Sequence, residues 1–568
     1  MATIFNYQSQ DAIGVVESVD TSSVIIKVEK DDILKQIQVN QLVVLRSSKA
    51  GQHLIGIIDK ITRTIHVLDE EQQLNQIQNI IRVKLIGTHL DKYGIKENIF
   101  KRTLETIPEI DAECFILRGE TLTSFMRAIS QLVSQAVNPL NLGHYTLDEE
   151  AEAWLDGNKL FQRHSVIVGS TGSGKSWTVA NLLENIAKLP SANAIVFDLH
   201  GEYSPLNDNG FTHFKIAGPN DTPDLNNIIF LPYWLLTYEE MLSLLLDRSD
   251  TNAPNQAMAF SREVINLKRH YLNEKDKEEV LGNFTIDSPI PFDIKMVISN
   301  LNELDKEMVK GSSGRPKQGP MHGKLTRFLQ RLQAKINDKR LNFLFNENEI
   351  LFKYEWLEEF CKSLMNSSSL NDKKGIKIIN FSEVPSDILP LITGLVARII
   401  FTVQQWIDYK DRHPIALFCD EAHLYIPERV SSSIEEVGLN VFQRIAKEGR
   451  KYGVGLVVIS QRPSEVNKTV LSQSNNFIAM RLTNSEDQNV IRKLLPDSLG
   501  NFADLLPILD IGEAVVVGDA SLLPSRIRIT EPKNKPSSAT IDFWDEWSKN
   551  SSPDVIKDAV ESMRRQSK

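Results

Sequence analysis

The sequence has few cysteines and no recognisable membrane or export signal. Its three cysteines, Cys114, Cys361 and Cys419, are not spaced as metal ligands usually are, which favours a reducing cytoplasm. The first residues show no basic region followed by an apolar core, so we expect no secretory signal. No uncharged stretch is long enough to span a bilayer, and we therefore expect a cytoplasmic protein without membrane contact.

The chain also lacks an excess of positive charge. Its formal net charge is −10, which argues against a grip on nucleic acid over the whole surface. A local basic groove or ring remains compatible with this balance. A length of 568 residues exceeds one typical domain and predicts two or three.

What the chain does contain is a phosphate-binding loop between an apolar run (165–168) and a helical stretch (177–187). Its glycines allow successive N–H groups to form an anion nest, and the helix adds the positive end of its dipole. Lys175 is expected to contact the β- and γ-phosphates, and the Ser176 hydroxyl to bind Mg²⁺. The predicted ATP-binding residues are Gly169, Ser170, Thr171, Gly172, Ser173, Gly174, Lys175, Ser176 and Trp177.

An acidic pair at the end of a second apolar run completes the expected nucleotide chemistry. Residues 415–419 are apolar without alternation, as in a parallel strand covered on both faces, and Asp420 and Glu421 follow. Asp420 is expected to hold Mg²⁺, and Glu421 to polarise the attacking water. The sequence therefore predicts an ATPase that uses ATP and Mg²⁺.

Strands that alternate with helices after residue 145 predict an α/β fold with a RecA-like P-loop core and a mainly parallel sheet. Evenly spaced short strands before residue 120 predict a small N-terminal β-barrel for assembly or docking. The predicted organisation is a barrel (1–120), a first core part (121–224), a helical insertion (225–370), a second core part (371–530) and a tail (531–568).

The insertion contains a basic helical face. Leu325, Phe328, Leu329, Leu332 and Ile336 share one side of the predicted helix, and a basic stripe of Lys324, Arg327, Arg331 and Lys335 forms another. The stripe is either a solvated surface or a DNA contact, and the sequence leaves both open. Residues 311–314 before it are expected to form a mobile loop.

Three further polar residues are candidates for the reaction. Gln461 ends the strand after the acidic one, where it could contact the γ-phosphate and report its loss. Arg444 and Arg450 are expected near the nucleotide edge of the sheet, where an arginine of one subunit could stabilise phosphoryl charge in its neighbour. A surface salt bridge is an equally open interpretation for either arginine.

Taken in order, these motifs resemble those of the HerA family, which belongs with the FtsK-type hexameric DNA translocases. The resemblance covers about residues 145–530 and rests on six segments: Arg163-His164, the loop 169–176, Asp198–Tyr203, Asp420–His423, Gly449–Gly453 and Ser460–Pro463. It implies a homohexamer that threads double-stranded DNA and moves it by ATP hydrolysis. It also implies an effector enzyme, a nuclease or a sirtuin-like NADase, docked on the N-terminal barrel.

Two functions remain open at this point. The first is a DNA-stimulated translocase or helicase that works with its effector in DNA end processing or anti-phage defence. The second is an ATP-regulated ring scaffold that activates the effector and translocates little DNA itself. A conjugative coupling protein is disfavoured, because such proteins normally carry an N-terminal membrane anchor.

Overall fold

The computed structural model describes most of the chain, and its contacts divide the chain into two compact units. The first unit comprises Met1–Asn185, Gln461–Ser464 and Ser474–Lys533, and the second Ile186–Ser460, Glu465–Gln473 and Asn534–Lys568. The described residues are 4–20, 23–28, 31–35, 37–69, 74–93, 96–104, 106–131, 140–146, 148–223, 227–310, 315–366, 375–495, 500–521, 523–537, 543–549 and 554–565. The loop predicted at 311–314 lies outside them.

The strands run along the chain as β1 (Gly14–Val19), β2 (Val24–Lys27), β3 (Leu42–Arg46), β4 (Gln52–Asp69), β5 (Leu74–Tyr93), β6 (Lys96–Lys101), β7 (Glu113–Ile116), β8 (Leu140–Tyr145), β9 (Asp148–Leu155), β10 (Ser165–Val168), β11 (Ala194–Asp198), β12 (Phe211–Ile216), β13 (Ile228–Ile229), β14 (Met308–Lys310), β15 (Pro316–Gln318), β16 (Ile376–Asn380), β17 (Ile415–Cys419), β18 (Val454–Ser460), β19 (Asn476–Ala479), β20 (Glu513–Gly518) and β21 (Ser525–Ile529).

The α-helices are α1 (Asp31–Leu34), α2 (Gly119–Gln131), α3 (Gly157–Gln162), α4 (Lys175–Ala187), α5 (Tyr238–Leu245), α6 (Ala253–Glu274), α7 (Glu278–Leu281), α8 (Ile294–Lys306), α9 (Thr326–Asn337), α10 (Asn342–Phe345), α11 (Trp356–Met365), α12 (Leu389–Trp406), α13 (Ser433–Glu448), α14 (Lys468–Ser472), α15 (Ser485–Leu494), α16 (Gly500–Ala503), α17 (Phe543–Trp547) and α18 (Asp554–Arg565).

The N-terminal strands of the first unit close into a small antiparallel barrel, as predicted. The strand order is β2-β1-β7-β3-β4-β5, and β5 pairs again with β2 to complete the ring, while β6 extends the edge of β5. Apolar side chains fill the interior, among them Val16, Val24, Ile58 and Val83, each with no exposed surface. Closure removes the unpaired strand edges that would otherwise invite aggregation.

The rest of the first unit combines one parallel strand pair with antiparallel neighbours. β10 and β19 are parallel, and β20, β21, β8 and β9 follow in antiparallel order. The side chains of β10 are all buried, in agreement with the apolar run before the phosphate loop. β10 therefore fixes the start of that loop in the interior of the unit.

In the second unit the six described strands of the larger sheet are all parallel. Their order is β13-β12-β16-β11-β17-β18, with each neighbour in parallel register. β11, β17 and β18 are buried along their whole length, as their unbroken apolar runs predicted. The predicted α/β fold with a P-loop core and a mainly parallel sheet is confirmed. The sequence did not reveal β8, β9, β12, β13 and β21.

One helix in the described part of the chain, α12, is long and apolar enough to cross a membrane by length and composition. However, 72% of its residues are buried inside the protein. Gly394 faces Gly438 of α13 so closely that a Cβ there would lie 2.9 Å from the Gly438 Cα. Arg398, the charged residue of α12, forms an ion pair with buried Glu240, with 2.7 Å between Arg398 Nε and Glu240 Oε1. These contacts make α12 a core helix of its unit.

The range 225–370, predicted as a helical insertion, contains α5 to α11 and the β14–β15 hairpin. It also contains β13, which pairs with β12, so the sheet continues into this range. Its interior is aromatic: Tyr233 contacts Phe292 and Phe345, and Phe260 meets Phe328. The predicted apolar face of α9 is confirmed, because Phe328, Leu329 and Leu332 are buried.

Candidate functional site

The phosphate loop of the first unit has a backbone conformation that requires glycine. Gly172 and Gly174 have φ angles of +75° and +102°, in the region that side chains rarely adopt. A Cβ at Gly174 would lie 3.0 Å from the Met480 side chain and 3.3 Å from Gly512. The loop is therefore bare of side chains at the positions where its N–H groups would approach an anion.

Backbone hydrogen bonds hold this loop from two distant segments. The Ser170 N–H donates to the carbonyl of Arg481 at 2.8 Å, and the Gly512 N–H donates to the carbonyl of Ser173 at 3.0 Å. The Thr483 N–H reaches the Ser170 hydroxyl at 3.3 Å. Sequence reasoning did not identify the segment after β19 or Gly512 as supports, because backbone contacts do not constrain residue type strongly.

The predicted sensor lies against the phosphate loop. The Thr171 hydroxyl donates to Oε1 of Gln461 at 2.7 Å. Lys175, at the start of α4, is 9% exposed. The structure thus brings Gln461 to the loop, within the first unit. A strand-end amide in this position can respond to what the loop binds.

The predicted acidic pair lies in the second unit, directly after β17. Asp420 is 2% exposed and Glu421 is 7% exposed. The Glu421 backbone has a φ of +45°, which is unusual for a residue with a side chain, and its N–H donates to Asp420 Oδ1 at 3.0 Å. Strained backbone of this kind persists only where surrounding contacts impose it.

Two buried tyrosines surround Asp420. The Tyr425 hydroxyl donates to the Asp420 carbonyl at 2.9 Å. Tyr203 is also buried, and burial together with the nearby Asp420 charge raises its pKa well above the usual value. Because a raised pKa keeps the phenol neutral, Tyr203 brings no further negative charge to the surroundings of Asp420.

A third carboxylate fixes Tyr203. Asp198 ends β11 and accepts hydrogen bonds from the backbone N–H groups of Gly201, Glu202 and Tyr203 at 2.8, 3.1 and 3.1 Å. Burial raises the Asp198 pKa, and these hydrogen bonds oppose that rise. The loop after β11 is therefore a rigid support that carries Tyr203 to Asp420, a role that sequence reasoning did not assign.

The expected position of Arg444 and Arg450 is corrected by the sheet register. α13 leaves the carboxyl end of β17, where Asp420 lies, and returns to the amino end of β18. Both arginines lie close to the amino end of β18. Asp420 lies at the carboxyl end of β17, and one strand length of about 13 Å separates these two ends of the sheet. Arg444 lies over the Phe401 ring and 3.6 Å from Glu448. In their own unit, neither arginine is at the acidic edge.

The basic stripe on α9 is partly neutralised. Arg331 forms an ion pair with Asp247. Hydrogen bonds from Ser249 and from Arg331 lower the pKa of Asp247 to about 2, so this carboxylate stays charged. Arg327 adds to the lowering of the Asp250 pKa, whose main cause is the Asn252 N–H. Acidic residues of the same unit thus offset part of the charge of the stripe, for which solvent exposure and DNA contact were both open.

Each of the two units, taken by itself, carries donor groups of the kind that nucleotides or magnesium use. In the part of the chain that the structure describes, no group of three His, Cys, Asp or Glu side chains could hold a metal by itself. Magnesium at nucleotide sites commonly takes one or two protein oxygens and completes its shell with phosphates and water. Ser176 and buried Asp420 offer oxygens of this kind, and the glycine loop offers N–H groups to phosphates.

Comparison with protein families gives two adjoining matches. A model described as the helicase HerA central domain matches residues 140–400, and a HerA-like helicase C-terminal model matches residues 400–543. The DNA double-strand break repair helicase HerA of Sulfolobus acidocaldarius is 24% identical over 90% of this chain and 92% of its own. The protein of the same name from Pyrococcus furiosus is 26% identical over 69% of each chain.

Two solved structures align with most of the chain at low identity. VirB4 of Thermoanaerobacter pseudethanolicus covers 71% of this chain and 98% of its own, at 16% identity and a TM-score of 0.47. The plasmid coupling protein TrwB, in complex with a non-hydrolysable ATP analogue, covers 72% of this chain and 93% of its own, at 13% identity and a TM-score of 0.45.

Proposed function

Since the chain belongs to the HerA family of helicases and is an ATPase, we propose that it uses ATP and Mg²⁺ to translocate double-stranded DNA in DNA end processing. Lys175 contacts the β- and γ-phosphates, and Ser176 and Asp420 hold the metal. Glu421 positions the attacking water as general base. The names of two relatives support this assignment, because both are called DNA double-strand break repair helicases.

The observation that carries the proposal is the 2.7 Å hydrogen bond between Thr171 and Gln461. A passive nucleotide-binding loop has no need of an amide from a distant strand end. Such an amide can register the γ-phosphate and change its contacts when the phosphate leaves. A motor requires this kind of link between hydrolysis and movement.

We further propose a cytoplasmic homohexamer with an effector enzyme docked on the barrel. The place of Arg444 and Arg450 at the amino edge of the parallel strands supports a role in trans, because they stand away from their own acidic edge. In a ring, one of them would stabilise phosphoryl charge in the neighbouring site. The effector is a nuclease or a sirtuin-like NADase, in DNA end processing or in defence against phage.

A second function, the ATP-regulated scaffold that activates its effector, has specific support. The chain carries a formal net charge of −10, and Asp247 already pairs with Arg331 on the basic stripe. Both features reduce the affinity for phosphates that a DNA motor needs. DNA movement would then be secondary to assembly.

Hydrolysis of ATP by the purified full-length chain, with and without linear duplex DNA, distinguishes the two functions. Glu421→Gln provides the blank for contaminating ATPases. Strong stimulation by DNA supports the translocase. A second variant replaces the basic stripe, Lys324, Arg327, Arg331 and Lys335, by alanine. If DNA stimulates this variant as strongly as the parent, the stripe does not contact DNA. An ATP hydrolysis rate that is the same with and without DNA would favour the scaffold.

A further inference from the structure

One imidazole nitrogen lies between the proposed general base and the strand that precedes the sensor. His423 Nδ1 is 3.4 Å from Glu421 Oε2 and 3.2 Å from the Ser460 hydroxyl. The His423 and Glu421 side chains are 10% and 9% exposed, so water contributes little to their arrangement. Both contacts converge on the same ring atom, and of the two only the Ser460 contact has hydrogen-bond geometry.

A single Nδ1 atom interacts differently with its two neighbours. A carboxylate can only accept hydrogen bonds, so Glu421 is held when Nδ1 carries a proton. A bare Nδ1 instead accepts a hydrogen bond from the Ser460 hydroxyl and turns a lone pair toward Glu421. An Nδ1–H group can also donate to the Ser460 hydroxyl oxygen, so Glu421 and Ser460 compete for the same proton.

The backbone at Glu421 adopts an uncommon conformation. Its left-handed φ of +45° opens the short turn Ala422–Leu424, in which the Leu424 N–H donates to the Glu421 carbonyl at 3.0 Å. The turn places His423 back against Glu421, two residues away. Ser460 reaches the same imidazole as the last residue of β18, and Gln461 follows it.

We propose that His423 is the positioning residue for Glu421 and links it to the strand that ends in Ser460. The Nδ1–H group holds the Glu421 carboxylate in its working orientation. A shift at Ser460, next to the sensor Gln461, draws the Nδ1–H group to the serine oxygen instead and loosens the base. This inference rests on the proposed role of Glu421 in ATP hydrolysis.

The test compares two amides at position 423. The amide nitrogen of His423→Asn stands near the place of Nδ1, whereas that of His423→Gln stands near Nε2. We expect His423→Asn to keep kcat for ATP hydrolysis within about threefold of the parent, and His423→Gln to lower it by about tenfold to hundredfold. The Kd for a fluorescent non-hydrolysable ATP analogue should be unchanged in both, which separates positioning from binding and folding.

Several outcomes would overturn the proposal. Equal kcat in the two variants, or a higher kcat in His423→Gln, would show that ring volume and not Nδ1 matters. In the Ser460→Ala background, His423→Gln should lower kcat by a smaller factor than it does in the parent, because the two residues share one contact. An equal factor in both backgrounds would exclude the link to β18. The role of Glu421 fails separately, if Glu421→Gln hydrolyses ATP at the parent rate.

Discussion

The phosphate loop and the acidic strand end are held in different ways. Backbone groups hold the loop: Ser170 is tied to the Arg481 carbonyl, and Gly512 to the Ser173 carbonyl. A side chain supports the acidic end, where the Tyr425 hydroxyl donates to the backbone carbonyl of Asp420, and buried Tyr203 lies close enough to feel the Asp420 charge. The loop must leave its N–H groups free for phosphates, so side chains would obstruct it. The acidic end must fix carboxylates in a buried place, and this requires donors from other segments.

The difference predicts opposite sensitivities. A site that is held by bare backbone is damaged when atoms are added, because a new Cβ strains the chain or meets a neighbour. A site that is held by side chains is damaged when atoms are removed, because a buried acceptor loses its donor. Substitutions of each kind in each region can therefore break the comparison.

The largest effect is expected from removing the charge at the acidic end. Glu421→Gln keeps the size of the side chain but cannot take a proton, so we expect kcat for ATP hydrolysis to fall about 10³-fold. The Kd for ATP should stay near the parent value, because the carboxylate acts on water. A phosphate-release assay under saturating ATP measures the loss. A fall of less than tenfold would show that another group activates the water.

Removing the charge of the loop should act on binding. Lys175→Ala deletes a charge-assisted contact to the phosphates, which is worth about 1.5–3 kcal/mol, so the Kd for ATP should rise about tenfold to hundredfold. Titration with a fluorescent ATP analogue measures it. Lys188→Ala, at an exposed lysine just past the end of α4, is the matched control and should leave Kd unchanged. Equal Kd values in the two variants would contradict the role of Lys175.

Adding one carbon to the loop tests the backbone half of the comparison. Gly174→Ala imposes left-handed backbone on alanine and brings a Cβ to 3.0 Å from Met480. The conformation alone costs about 1–2 kcal/mol, so the Kd for ATP should rise about tenfold. Gly172→Ala shares a positive φ but meets nothing within 4 Å, and its effect should be smaller. The reverse order would show that space around the loop does not matter.

The features that could be predicted from the sequence are those that a single segment encodes. The loop was predictable because local spacing encodes it: glycines, a lysine and a serine between a strand and a helix. The buried run of β17 and the acidic pair after it were predictable for the same reason. Tyr203 was not assigned, because it meets Asp420 only after β11 and β17 pair in the sheet. Contacts of this kind depend on strand order, which single segments do not encode.

Arg444 and Arg450 illustrate the second reason for failure. They were expected near the nucleotide edge of the sheet, but the crossover through α13 brings them to the opposite end of the parallel strands. A helix that connects two parallel strands runs from the carboxyl end of the first to the amino end of the second, so its last residues lie at the opposite end of the strands from its first. A sequence pattern gives the order of the residues but does not show this change of end. Asp247 was missed likewise, because it reaches Arg331 across the packing of α5 against α9.

The smallest effect tests whether side chains do hold the acidic end. Tyr425→Phe keeps the ring and removes the hydroxyl that donates to the Asp420 carbonyl at 2.9 Å. A buried hydrogen bond of this kind contributes about 1 kcal/mol, so the midpoint of thermal unfolding should fall by about 1–2 °C. Tyr409→Phe, at a tyrosine that is 85% exposed, should leave the midpoint unchanged. If both variants unfold at the parent temperature, the Tyr425 hydroxyl does not support Asp420, and the acidic end must rely on its own backbone, as the phosphate loop does.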